Sequence, residues 1–236
     1  MQSGSISYEG RDLEAMSFAQ NYHAWIVSLL RPYLGKQVAE VGAGRGNFSS
    51  LLLGETIEEL VCVEPSAEMY PLLVEHTARD VRVTAHQGFF SEVAKEYDAY
   101  FDSIVYVNVL EHVEYDEAEL DVIAKSLKKG GHVCIFVPAL PWLYSDLDAS
   151  VGHYRRYYKK DLEALVEKKG FTIVRSTYFD SVGIIPWYLF FTLLHKKLSV
   201  GNTSLYDRVI VPIVRIVEST IPVPIGKNVL LVARKS

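Results

Sequence analysis

The chain has 236 residues, 49% hydrophobic and 22% charged, which is enough apolar content and length for one large packed core. Its net charge of -5 offers no general attraction to nucleic acid, whose backbone rewards clustered lysine and arginine. No stretch reaches ~18 uninterrupted apolar residues, so no membrane span is expected. The two cysteines, Cys62 and Cys134, lie inside apolar runs as small hydrophobes, and the first ten residues carry no leader pattern. A cytoplasmic protein is expected.

Residues 11–34 predict a helix, because Phe18, Tyr22, Trp25, Ile26, Leu29 and Leu30 recur near a 3.6-residue period. Pro32 and Gly35 close it. A short apolar strand over 37–41, a glycine-rich turn and a helix over 47–53 follow. The alternation continues with a strand over 60–63 and a helix over 66–76 whose N-cap is Ser66. Further strands are expected over 81–85 and 101–107. A helix over 117–127 leads to the turn Lys128-Lys129-Gly130-Gly131 and a strand over 132–137.

After an aromatic loop over 138–158, a helix over 161–169 begins at Asp161 as its cap and ends at Gly170, before a strand over 171–179. A last strand covers 228–233. The intervening residues 181–227 are too many for a structureless connection and are read as a partly helical insertion. The rhythm implies an α/β, doubly wound, mostly parallel seven-stranded sheet with helices on both faces. Its expected divisions are a helical cap (1–35), a cofactor-binding core (36–180), an apolar insertion or lid (181–227) and the last strand (228–236).

The first motif is Glu40-Val41-Gly42-Ala43-Gly44-Arg45-Gly46. Glycines let the backbone turn sharply and approach a ligand closely, and the next helix aims its free N–H groups there. A dinucleotide loop reads G-x-G-x-x-G; here the third glycine comes one residue sooner. Glu40 would repel a pyrophosphate and accept hydrogen bonds from an ammonium group. Glu64 ends the second strand about 20 residues on, where an acid can accept both ribose hydroxyls. Nucleoside plus amino acid without phosphate describes S-adenosylmethionine.

The Glu40–Gly46 run resembles the first motif of class I S-adenosylmethionine-dependent methyltransferases, and Val63-Glu64-Pro65-Ser66 resembles their second. The stretch from Phe101-Asp102-Ser103-Ile104-Val105 to Asn108-Val109-Leu110-Glu111-His112-Val113 is similar to the fourth strand and following loop of the small-molecule branch. Lys128-Lys129-Gly130-Gly131 resembles that family's entry to the fifth strand. The four matches stand in order and span residues 38–137.

The resemblance implies a Rossmann-like methyltransferase fold. It places Glu40, Gly42 and Ala43 near the methionine moiety, with Gly44 and Gly46 giving backbone approach. Glu64 holds the ribose, Pro65 and Ser66 wall the adenine, and Asn108 lies near the sulfur. The family's acid after the third strand is absent from His86-Gln87-Gly88-Phe89-Phe90. Phe89, beside Gly88, either stacks on the base or joins Phe90 in the core. Tyr22 either caps the cofactor's amino-acid end or is core.

His112 and His153 are the candidate general bases, with a structural hydrogen bond as the alternative for each and substrate contact as a further one for His153. Arg155, Arg156 and Tyr157 are candidate contacts to an acidic or phosphorylated acceptor, or parts of a solvated loop. No metal is expected. The insertion carries Ile184, Ile185, Trp187, Tyr188, Leu189, Phe190, Phe191, Leu193 and Leu194, followed by His195, Lys196 and Lys197. That composition suits a lid, a lipid or membrane-interface contact, or a homodimer face. The expected activity is methylation of an oxygen or nitrogen on a small molecule such as a sugar, lipid-linked or natural-product-like acceptor. A nicotinamide-dependent oxidoreductase and a non-catalytic cofactor-binding or membrane-surface protein are the alternatives.

Overall fold

A computed structural model describes residues 19–195, 204–221 and 223–236. Seven strands form one sheet: β1 (Gln37–Val41), β2 (Glu59–Glu64), β3 (Val83–Gln87), β4 (Phe101–Val107), β5 (Leu127–Pro138), β6 (Phe171–Phe179) and β7 (Asn228–Lys235). Their order is β3-β2-β1-β4-β5-β7-β6. The first five strands pair in parallel, whereas β7 runs antiparallel between β5 and β6. The order reverses at β1, flanked by β2 and β4, so a crevice opens outside the carboxyl ends of these strands.

The central strands are apolar on both sides because helices cover both faces. On one face Phe101, Tyr106, Ile135 and Leu231 pack against Leu120 and Ile123 of α5 (Asp116–Ser126) and Leu162 and Val166 of α7 (Lys159–Lys168). On the other, Val105, Phe136 and Leu230 meet Trp25, Ile26 and Leu30 of α1 (Gln20–Leu30), Leu52 of α2 (Asn47–Leu53) and Val214 of α9 (Val211–Thr220). Between β2 and β4 lie α3 (Met69–Thr77) and the short α4 (Phe90–Val93). The segment after β5 forms a short helix, α6 (Asp146–Ser150).

The insertion leaves and re-enters the sheet at one edge. Phe179, the last residue of β6, pairs with Asn228, the first of β7. Between them lie α8 (Ile184–Trp187), the π-helical turns Tyr188–Leu193 and Tyr206–Ile210, and α9. Both ends of the insertion therefore stand over the crevice.

Asp207 locks this insertion to α1. Ala19, at the start of that helix, offers no side-chain cap. The buried Asp207 carboxylate supplies one from afar, accepting the N–H groups of Asn21 (3.1 Å) and Tyr22 (2.9 Å).

Several local expectations shift. Residues 11–18 of the first helix, and Lys196 and Lys197, lie outside the described residues. β3 begins two residues later than expected, because Val81 is 100% exposed and the inward residues start at Val83. Lys128 to Gly131 belong to β5 rather than to a free turn: Leu127 pairs with Phe101 across an irregular register, and Gly130 takes a positive φ of 79°. Asp161 lies in the first turn of α7, which Tyr158 precedes as N-cap. α3 begins at Met69 rather than Ser66, with Glu68 in the N-cap position, and the Ser66 hydroxyl accepts the Glu68 and Met69 N–H groups at 3.3 Å from the turn before it.

Asp207→Ala is expected to lower stability by about 1–3 kcal/mol, the cost of uncovering buried donors. Denaturant titration against the wild type checks this, and Asp207→Asn should lie between the two.

Candidate functional site

The glycine loop begins where β1 ends. Its position is set by β2: the N–H groups of Gly42 and Ala43 donate to the Val63 carbonyl at 2.8 and 3.1 Å. Gly42, Gly44 and Gly46 have φ of 71°, 57° and 86°, a left-handed backbone that residues with a Cβ rarely adopt. At Gly42 a Cβ would also meet Val109 Cγ2 at 2.5 Å, so the turn and the loop after β4 touch through this position.

Glu64 ties the loops together. One carboxylate oxygen accepts the Gly44 N–H at 2.7 Å and the other the Ser66 N–H at 2.8 Å. Burial raises its pKa, partly offset by these two N–H groups. A carboxylate offers about four lone-pair directions, so acceptor capacity remains. The Glu64 carbonyl also accepts the Gly88 N–H at 3.1 Å, bringing the loop after β3 to the same point, with Pro65 alongside.

Phe90 is buried against Tyr106, whereas Phe89 is half-buried at the edge of that loop. An acid missed in the sequence also stands there. Glu92, one turn into α4, accepts the Phe89 N–H at 3.3 Å, and its Oε2 lies 3.2 Å from where a Gly88 Cβ would be. The helical offset moved it beyond the position where an acid was sought.

A cleft runs from the glycine loop beneath the insertion, lined by Glu40, Gly42, Ala43, Gly44, Asn108, Glu111, His112, Phe136, His153 and Arg156. Asn108, just past β4, holds a φ of 54° while its N–H donates to the Phe136 carbonyl. Glu40 is buried beside Cys62, whose Sγ lies 3.7 Å away, and burial lifts its pKa to about 8. Tyr22 and His23 of α1 line the same cleft. The Tyr22 hydroxyl donates to Asn228 Oδ1 at 3.0 Å, and burial lowers the His23 pKa to about 4.

Trp187, Tyr206 and Lys227 form the roof, where Lys227 reaches Asp180 at 3.0 Å and stands 5.3 Å from the Tyr22 ring. Trp187 belongs to the apolar insertion read as a lid, whereas His23, Tyr206 and Lys227 lie in no motif and carried no recognisable sequence signal.

At the far wall, His112 and His153 stack edge-on with ring centroids 4.6 Å apart. Burial, then the neighbouring His153, hold His112 down at about 4, so its imidazole is neutral at physiological pH. His153 Nδ1 pairs with Asp148 Oδ1 at 2.8 Å. Arg156 grips that same buried carboxylate at 2.8 and 3.0 Å, so the one arginine of its pair that reaches the cleft arrives already neutralised. Arg155 turns instead to Asp116 (2.8 Å) and the Glu114 carbonyl, and the Tyr157 hydroxyl donates to Asp116 at 2.9 Å. The structure thus brings His112, His153 and Arg156 together and directs Arg155 and Tyr157 to internal partners.

The fold, the five-residue glycine turn and the two buried acids define a class I methyltransferase using S-adenosylmethionine; the shape of the turn and the donor set fit that group. Residues 18–176 match the family model described as a methyltransferase domain, and the chain belongs to that family. No curated protein matches it in sequence. Solved structures share the fold. One is a S-adenosylmethionine-dependent methyltransferase from Archaeoglobus fulgidus, at TM-score 0.65 and 20% identity, covering 95% of this chain and 99% of that one. Another is the 1,6-didemethyltoxoflavin-N1-methyltransferase of Burkholderia thailandensis with S-adenosylhomocysteine, at 0.62 and 18%, covering 97% and 83%. A third is a Haemonchus contortus phosphoethanolamine-type N-methyltransferase, at 0.63 and 15%, covering 93% and 56%. The nicotinamide alternative ends with the family match.

Burial favours the protonated form of Glu40 in the folded protein. Its stabilising contribution is therefore full below the ordinary carboxylate pKa of 4.5, falls as pH rises, and is gone above about 8. Glu40→Gln, which never ionises, is expected to raise the melting temperature of the ligand-free protein increasingly from about pH 5 to about pH 9, by up to a few kcal/mol in stability. Parallel melts across that range that keep a constant gap would contradict the assignment.

Proposed function

We propose that this chain methylates an oxygen or nitrogen on a small-molecule acceptor, and that the acceptor enters the cleft between the glycine loop and the insertion. The observation that carries this reading is the continuity of that cleft, from Glu40 and Gly44 past Asn108 to His112, His153 and the Trp187–Tyr206 roof. In it, Glu40 takes the ammonium group of the methionine moiety, whose positive charge favours the ionised carboxylate that burial alone disfavours.

Glu64 accepts the ribose hydroxyls with its remaining lone pairs. Pro65, Ser66 and Phe89 wall the adenine, and Glu92 supplies the acid that Phe89 displaces. Gly42, Ala43, Gly44 and Gly46 give backbone approach, Asn108 meets the region of the sulfur, and Tyr22 closes the amino-acid end. When bound, the cofactor supplies an electrophilic sulfonium methyl. The chain's own work is then alignment and exclusion of water, which account for most of what such a displacement needs. His112 and His153 face the acceptor's nucleophilic atom, and Arg156 stands beside it with its charge balanced by Asp148.

A lipid-linked or otherwise apolar acceptor is favoured by the insertion. Ile213 and Ile216 of α9 are 58% and 68% exposed, and Ile185, Leu193 and Ile221 are exposed on the same segment. Among the described residues no helix is long and apolar enough to cross a membrane, so contact with lipid is peripheral in this reading. The ligands named for the two N-methyltransferase neighbours, 1,6-didemethyltoxoflavin and phosphomonomethylethanolamine, are small molecules and support a small-molecule acceptor. The buried free thiols of Cys62 and Cys134 support a cytoplasmic setting.

Calorimetry with S-adenosylhomocysteine tests the cofactor site. Glu64→Ala is expected to weaken binding by ~1.5–3 kcal/mol, the scale of a lost charged partner; unchanged affinity would mean that the ribose lies elsewhere. His112→Ala is expected to lower turnover of labelled methyl groups onto an acceptor panel at least tenfold while sparing cofactor affinity. Full turnover in that variant would remove His112 from the reacting centre.

A further inference from the structure

Glu111 lies in the 3₁₀ turn directly after β4 and is 0% exposed, with neither carboxylate oxygen hydrogen-bonded among the described residues. A buried carboxylate stabilised only by its own backbone N–H and by the charge of Arg156 is a costly arrangement that leaves room for a further partner. The nearby cation, Arg156, is already committed in two-pronged fashion to Asp148. What does face Glu111 is a pair of imidazoles. His153 Nε2 stands 3.9 Å from its Oε1, and one ligand atom each of Glu111, His112 and His153 lies within 4.8 Å of the others.

Each imidazole is oriented from behind. His153 holds Asp148 through Nδ1, which turns Nε2 inward, and Asp148 is fixed in turn by Arg156 and by the N–H and hydroxyl of Ser145. His112 has a backbone hydrogen bond with Gly152. Metal-binding histidines carry this kind of outer partner, a carboxylate on one ring and a backbone group on another, because it fixes the nitrogen that points at the ion. The loops are joined as well: the Tyr154 N–H donates to the Glu111 carbonyl at 2.8 Å. We infer that Glu111, His112 and His153 form a divalent-cation site in the wall of the cleft, with open coordination positions facing the acceptor.

Two imidazole nitrogens and one carboxylate oxygen suit a borderline first-row ion such as Zn²⁺, Fe²⁺ or Co²⁺ rather than the all-oxygen shell of Ca²⁺. Binding draws the three side chains inward and gives Glu111 that further partner. What the ion does there rests on the methyl-transfer function proposed above; the site itself does not. An acceptor hydroxyl bound to the ion loses its proton to water more readily. Its oxygen then forms the new bond to the methyl carbon while the carbon–sulfur bond breaks and its electron pair stays on sulfur. In this arrangement the histidines hold the ion and need not take the proton.

The test is titration of tag-free, chelator-treated full-length protein with Co²⁺, followed by its visible absorption and by calorimetry, with Zn²⁺ as competitor. One Co²⁺ per chain, displaced by Zn²⁺, is expected. Glu111→Gln and His153→Gln should each weaken binding at least ~10-fold, the usual effect of losing a ligand or its support, with folding checked by thermal melts. Should Glu111→Gln not fold, His153→Gln carries the same comparison. The exposed His195, paired with Asp146 outside the cleft, serves as control, and His195→Gln should bind as the wild type does.

The inference is overturned if neither Co²⁺ nor Zn²⁺ binds at millimolar concentration, if the Glu111 and His153 variants bind normally, or if His195→Gln alone abolishes binding. S-adenosylhomocysteine affinity measured in the same samples separates the two readings: a protein that binds it and no metal loses only the cation site.

Discussion

The site depends on one carboxylate. Glu64 accepts a backbone N–H from the glycine loop with one oxygen and from the loop after β2 with the other, while its carbonyl accepts from the loop after β3. Charge-assisted bonds of this kind are roughly twice as strong as neutral ones, and they act on irregular backbone that no ladder fixes. They hold three chain segments at the topological switch point, so that the crevice has a preset shape before any ligand arrives. Burial works against the charge, and the two N–H donors are what keep it tolerable.

Over this crevice the fold places a cover whose geometry follows from the sheet. Because β7 returns antiparallel beside β6, the segment between them begins and ends on the ligand side. Asp207 then pins that segment to α1 by capping it, and Asp180, just past the end of β6, collects Lys227, the Gly183 N–H and the Tyr206 hydroxyl. The roof is therefore tied to the same helix that brings Tyr22 and His23 to the cleft. Its outer side keeps many apolar residues exposed, which is the physical basis for expecting a greasy acceptor or surface.

The far wall of the cleft has a different character. Asp148 and Arg156 form a buried ion pair that continues to His153 at the cleft, with Glu111 beside it and without a geometric hydrogen-bond partner among the described residues. Networks of this sort are worth having only when every member is satisfied. Glu111 is the exception, and the cation site inferred above is what would satisfy it.

How much of this was legible before folding differs from element to element. The parallel core was, because a buried strand such as Phe101–Val107 announces itself by continuous apolar residues and the glycine turn by its own spacing. Strand edges were less so: Val81 alternates correctly yet lies in solvent, and the lysine-glycine run reads as a turn although it extends a strand. Arg155 and Arg156 look alike in sequence, and only their surroundings send one to Asp116 and the other to Asp148 at the cleft. Local chemistry, meaning turns and hydrophobic period, is written along the chain and determined the strands and the glycine loop by itself, whereas the antiparallel insertion of β7 between β5 and β6 did not follow from it. The roof and the meeting of Glu111 and His112 with His153 join residues far apart in the chain, whereas Glu92 reaches Gly88 and Phe89 within one helical turn. The roof and that meeting were decided by tertiary structure, since only packing says which distant side chains share a space.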